Sequence, residues 1–269
     1  MTDPAWRPLQ QLTVARIGLT RSGASIATAP LLAFRLAHAQ ARDAVQHDLA
    51  DLPGLSTLGH PVLTIRSRAT DRRTYLLRPD LGRQLDDHTP LTPHPGPHDL
   101  AIVIADGLSA LAAERHAVPL LTALLPALNG WTLAPLVIAH RARVKLGDAV
   151  ANALGATAVL ILIGERPGLS APDSLGAYLT YAPTPATTDA DRNCVSNIRP
   201  EGLPYAEAAR TIAFLLRQMR ALRHSGIALK DDSQSLTLTA SPPPNAPAPP
   251  IRNAPAPPPG PHAPAPKPG

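Results

Sequence analysis

The stretch TAVLILIGERPGLSAPDSLGAYLTYAPTPATTDADRNCVSNIRP, Thr157 to Pro200, decides how the chain is read. Its opening residues, Thr157 to Ile163, are an unbroken apolar run rich in β-branched side chains. Such a run suits a strand buried on both faces, as in a parallel sheet. GERPG, Gly164 to Gly168, then stops the strand with a charged pair between glycines and a proline. A second apolar run, Gly176 to Ala182, predicts another strand. The long polar segment after it reads as a loop and contains the only cysteine, Cys194. Ligands of open α/β sheets sit just beyond the carboxyl ends of the strands, which is where Glu165 and Arg166 fall.

Working outward, the same alternation continues upstream. Leu100 to Ala105 predicts a buried strand ended by Asp106-Gly107, Ser109 to Leu128 a helix, Leu133 to Ala139 a strand and Gly147 to Leu154 a short helix. Strand–helix alternation of this kind argues for a parallel sheet with helices on its faces. Nearer the N-terminus, helical signals begin around Leu12. Thr28 as a cap with Pro30 in the first turn predicts a second start, after which Leu32, Leu36, Ala39 and Val45 keep near-helical spacing. Pro61 to Arg66 reads as a strand, followed by a cluster of arginines. Residues 86–99, DDHTPLTPHPGPHD, are too rich in proline for a regular helix. Pro204 to Arg223 predicts an amphipathic helix with Ala208, Ile212, Leu215, Met219 and Leu222 on one side. From residue 233 to 269 the chain is mostly proline, alanine and glycine, which predicts a disordered or extended tail with little to bury.

Composition narrows the function classes. The chain has 269 residues, 44% of them hydrophobic but only 3% aromatic, so its core is aliphatic. The net charge of +5 comes mainly from arginines spread along the chain without interleaved aromatics, which argues against nucleic-acid binding. One cysteine leaves no internal disulfide and fits a reducing compartment. Met1 to Gln11 is polar and does not read as a signal peptide. Ala117 to Ala139 is long and apolar, but Pro126, Asn129-Gly130 and Pro135 break it, so no membrane span is expected.

The short motifs are equivocal on residues alone. Asp106-Gly107-Leu108-Ser109-Ala110 lacks the glycines of a dinucleotide fingerprint or a nucleophile elbow, and reads best as a helix start capped by Ser109 or Asp106. His94 and His98 have a metal-like spacing, but Pro95 and Pro97 rule out the helix that would bring them together. Glu165 is either an ion-pair partner of Arg166 at the sheet rim or an acceptor for a ligand's protons. Cys194 has no neighbouring histidine to activate it, so packing or a non-covalent ligand contact is expected rather than covalent catalysis.

Several blocks together carry a resemblance. TVARIGL, LLAFRLAHAQARDAV, IRSRATDRRTYLLRPDLGRQLD, DLAIVIADGLSALA, RVKLGDAV, GERPGLSAPDSLGAYLTYAP and TDADRNCVSNIRPEG resemble the small (light) subunit of ethanolamine ammonia-lyase, over roughly residues 10 to 230. The resemblance implies a Rossmann-like, mostly parallel α/β domain over 99–232. A mainly helical region over 1–98 would precede it and the tail would follow. It implies adenosylcobalamin as cofactor and a (β/α)8-barrel large subunit as partner in a hetero-oligomer. That partner would hold ethanolamine and the catalytic groups for its radical conversion to acetaldehyde and ammonia. Carried over residue by residue, the cobalamin contacts fall on Val144 in RVK, Glu165 in GERPG and Cys194 in RNC. No catalytic residue and no metal ligand is expected in this chain, and no activity by the chain alone. The motif D-x-H-x-x-G is absent, which implies that the cofactor keeps its own base. Thr20-Arg21-Ser22-Gly23 departs from the family's Gly-Arg-Ala-Gly-like turn. Met1 to Gln11 is too short for the helix that routes some relatives to a bacterial microcompartment, so the implied location is cytoplasmic, free or encapsulated. The competing readings are a nicotinamide-type oxidoreductase and a non-catalytic interaction module.

Overall fold

A computed structural model describes residues 4–13, 15–50, 52–89, 91 and 97–231. In chain order the elements begin with α1 (Arg7–Gln10), β1 (Arg21–Ser22), β2 (Ser25–Ile26), α2 (Thr28–Gln46), β3 (Val62–Arg66) and α3 (Arg72–Leu77). They continue with β4 (His98–Ala105), α4 (Ala110–Leu124), β5 (Leu136–His140), α5 (Leu146–Ala153) and β6 (Ala156–Gly164). The last are β7 (Leu175–Tyr181), β8 (Arg192–Ile198) and α6 (Tyr205–Leu222). The residues of the predicted tail lie outside those described.

Six strands form one sheet in the order β3-β5-β4-β6-β7-β8. The expected parallel pairing holds for β3, β5, β4 and β6. It fails after β6, because β7 and β8 pair antiparallel, so the sheet is mixed. The reason is connection length: ten residues separate β6 from β7 with no helix among them, whereas a parallel return needs a crossover of a dozen or more. The supposed polar loop around Cys194 is strand β8. Only Arg192, Val195 and Ile198 of its seven residues are buried, and the polar remainder makes this edge strand look like a loop in composition.

Buried apolar residues on both faces explain why β4 and β6 lack alternation. Leu100, Ile102, Ile104, Leu160 and Leu162 point into the core under α4 and α6, while Ala101, Val103, Val159 and Ile161 pack under α5. In α6 the predicted stripe of Ala208, Ile212, Leu215 and Met219 is buried, but Leu222 at its end is 52% exposed. In α2 the buried stripe is Ala37, Ala41 and Ala44, whereas Leu32 and Leu36 stay in solvent at 57% and 61% exposure.

Other expectations shift at their ends. Among the described residues no helix begins near Leu12; α1 has ended, and the next helix starts at Thr28 with Ala27 in the cap position. The helix from Ser109 stops at Leu124, where Pro126 forces a 3-10 turn. The strand expected from Leu133 begins at Leu136, with Leu133 making only an isolated bridge to Leu100. Among residues 86–98, the described ones hold no helix, 90 and 92–96 lie outside the description, and His98 already belongs to β4. His94 falls in that undescribed segment. The region before residue 99 is not only helical: its strand β3 forms one edge of the main sheet.

Candidate functional site

The carboxyl ends of β4, β5 and β6 lie side by side, and the turns that follow them build a crest. Asp106 is its organiser. Its buried carboxylate accepts the backbone amides of Arg141 (2.8 Å) and Ala142 (3.0 Å), and Arg72 Nη1 lies 3.3 Å away. Burial pushes the Asp106 carboxyl up to about 6, against the opposing pull of Arg72 and of those amides. The two amides pin Arg141 in the left-handed region, at φ 54°, and so set the direction of the segment that carries Arg143 and Val144.

Two glycines let the turns meet. Gly107 has φ 53°, and a Cβ there would lie 2.2 Å from the carbonyl oxygen of Gly164. A Cβ on Gly164 would strike the Ser109 carbonyl oxygen at 1.9 Å. Only glycine at both positions allows the Leu108 amide to reach the Gly164 carbonyl, at 2.9 Å. Ser109 caps α4 through the Ala112 amide, as expected.

The crest encloses a cleft of about 230 Å³ lined by Tyr75, Arg143, Val144, Glu165, Arg166 and Tyr178, among others. Glu165 Oε2 accepts from Ser174 Oγ in a short hydrogen bond and from the Asn197 amide at 3.2 Å. Oε1 takes no hydrogen bond from the described residues. Glu165 makes no ion pair with Arg166, so the rim-bracing alternative loses its geometric basis. Tyr178 stands beside Cys194 across the β7–β8 ladder, on the same face. Burial, then the Cys194 thiol, then Glu165 push the Tyr178 phenol above its ordinary range. Cys194 itself is exposed, with Sγ 3.2 Å from Ser196 Oγ.

Val144 and Glu165 therefore share one cleft, and Cys194 lies beside it, one strand over from Tyr178. Sequence reasoning missed Tyr75, Tyr178 and Arg143. Arg143 stands next to Val144 in a quoted motif and could have been found, but nothing local marks either tyrosine as facing this cleft. Among the described residues no group of three or more His, Cys, Asp and Glu could hold a metal ion. No helix among them is long and apolar enough to cross a membrane.

Fold and site together define a mixed α/β protein whose crest offers a shallow cleft with an apolar wall, an open carboxylate oxygen and flanking cations. A sequence model of the ethanolamine ammonia-lyase light chain matches residues 3–230. The ethanolamine ammonia-lyase small subunit of Azotobacter vinelandii is 52% identical over 247 residues, covering 87% of this chain and 90% of the relative. That of Bradyrhizobium diazoefficiens is 55% identical, over 87% of this chain and 95% of the relative. That of Ralstonia nicotianae is 50% identical, over 89% and 93%. The chain belongs to the ethanolamine ammonia-lyase light chain family, a family of lyase subunits.

Proposed function

We propose that this chain is the small subunit of an ethanolamine ammonia-lyase and forms one wall of its adenosylcobalamin site, against a large subunit that holds ethanolamine. The observation that carries this reading is the shared cleft: two of the three contacts expected from the family, Val144 and Glu165, line it, and Cys194 borders it. The residues suit part of such a cofactor. Val144 offers apolar surface, and Glu165 Oε1 is an open acceptor for the amide protons that fringe a corrin. Sites for drug-sized ligands usually occupy about 300–1,000 Å³, and a corrin needs more still. A cleft of about 230 Å³ can grip only one edge, so a partner must cover the rest.

Bound there, adenosylcobalamin supplies the radical chemistry. This chain's residues bind, orient and shield. Asp106 fixes the Val144 segment; Ser174 and Asn197 hold the Glu165 carboxylate in place; Tyr178 closes the cleft toward Cys194. Such shielding suits radical chemistry, which has to be kept from solvent and stray hydrogen donors. The Rossmann-like reading rests on the four parallel strands and their crest. A nicotinamide oxidoreductase is disfavoured because the turn at Gly107 has no further glycines of the fingerprint. The location is proposed as cytoplasmic, free or within a bacterial microcompartment.

Co-expression with the large subunit tests the reading. The assembled pair should deaminate ethanolamine only when adenosylcobalamin is added, and this chain alone should show no turnover. Turnover by the isolated chain, or an assembled complex that retains no cobalamin, would overturn it.

A further inference from the structure

Beside the cleft lies a second hollow of about 450 Å³, walled by α2 on one side and the β6–β7 turn on the other. The two share Leu108, Arg143 and Arg166, so they form one continuous surface. The hollow is cationic: Arg143 and Arg166 are joined there by Arg42, and no acidic residue is among those that line it. Of these, Arg42 lies 3.8 Å from Asp43 in an exposed ion pair.

Arg143 is held in a fixed pose. Its guanidinium lies over the Tyr75 ring, 4.2 Å from the centroid, and Nη2 donates to the Tyr75 carbonyl oxygen at 3.2 Å. Its Nε is buried without a hydrogen-bond partner. Arg166, on the neighbouring turn, has no ion pair or hydrogen bond among the described residues and is exposed. Two arginines therefore line one surface, one braced and one free. Glu165 lines the smaller cleft but not the hollow, and is tied to Ser174 and Asn197.

This division has a chemical meaning if the functional reading above holds. A cobalamin carries two kinds of polar group at its periphery: neutral carboxamides around the ring, and one anionic phosphodiester in the loop that tethers its base. Carboxamide protons need an acceptor such as Glu165. The phosphodiester needs donors with positive charge, for which arginine is the best suited side chain. We propose that Arg143 and Arg166 form a phosphate subsite that receives the nucleotide loop of the cofactor. The subsite would distinguish a complete cobalamin from a corrinoid that lacks the loop.

The test compares two probes on the assembled two-subunit complex: adenosylcobalamin, and adenosylcobinamide, which has the same ring and amides but no phosphodiester or base. Binding is followed by equilibrium dialysis and corrin absorbance, without reference to turnover. Arg166→Gln and Arg143→Met should each weaken adenosylcobalamin by about tenfold or more, the scale of a lost charge-assisted hydrogen bond. Adenosylcobinamide affinity should be unchanged. Arg166 is exposed and unbonded, so its variant keeps the test valid if Arg143→Met disturbs packing on Tyr75. Equal weakening of both probes would overturn the proposal and mark the arginines as partner contacts. Loss of neither would overturn it too. A wild-type complex that binds neither probe would overturn the functional reading itself, which is a different result.

Discussion

At Glu165 one carboxylate oxygen holds two protein donors, Ser174 Oγ and the Asn197 amide, while the other accepts no hydrogen bond from the described residues. In Glu165→Gln the amide oxygen must stay with those donors, which turns the NH₂ group toward the ligand and replaces an acceptor by a donor. Hydrogen bonds to charged groups are worth roughly 1.5–3 kcal/mol. Apparent cobalamin affinity of the complex should fall by roughly ten- to a hundredfold, at about 1.4 kcal/mol per factor of ten. Ethanolamine KM should hardly change. Cofactor titration of an equally assembled variant checks this, and unchanged affinity would remove Glu165 from the site. His116 offers a second residue-scale test away from the cleft. Burial lowers the affinity of its ring for a proton, and outweighs the opposing pull of Asp173. Its Nδ1 lies 2.8 Å from the Tyr205 hydroxyl, linking α4 to α6. Because the folded value lies below the ordinary 6.5, the unfolded chain takes up the proton first. Stability should therefore fall as pH drops below about 6.5, levelling off under the folded value. His116→Gln cannot charge, so urea midpoints measured through that window should lose this part of their slope.

Among the elements, β8 is tied to the rest of the fold by a buried ion pair as well as by its ladder to β7. Arg192 at its start donates to both oxygens of Asp148 on α5, each at 2.7 Å, and to Thr180 Oγ1 on β7 at 2.8 Å. Both members of the pair are buried, so removing one leaves an uncompensated charge. Asp148→Ala should cost about 3–5 kcal/mol, read as a lowered denaturation midpoint. The double variant Asp148→Leu, Arg192→Met should recover much of that loss, because two apolar side chains need no pairing. If the single variant were as stable as the wild type, the pair would not be what anchors β8. The same two features explain why β8 is hard to read in the sequence. Edge position left its outward residues polar, and the partner of its buried arginine lies on a helix 44 residues away.

For the whole molecule, the tail gives the clearest expectation. The family match ends at residue 230, and the segment beyond about Asp232 is dominated by proline and alanine. Such a composition has little to bury, so its deletion should leave the thermal midpoint and assembly with the large subunit nearly unchanged. A large loss of either would show that the tail takes part in the folded complex.

The sequence by itself determined the buried strands, because β4 and β6 are covered on both faces and burial writes a continuous apolar run into the chain. It also determined the family, and the resemblance carried Val144, Glu165 and Cys194 over as expected cofactor contacts. Tertiary structure alone decided the sheet's change from parallel to antiparallel after β6, since strand direction follows from the path of the connection and not from side-chain type. It alone decided that α2 buries its alanines and leaves Leu32 and Leu36 in solvent, because close helix approach favours small residues and hydropathy favours large ones. It also decided which motifs meet. Arg72, Asp106 and Arg141 come from three separate segments, and only pairing of β4 with β5 brings their groups together to set the crest. The same packing places Tyr75 and Tyr178 in one cleft, through distances that no local pattern encodes.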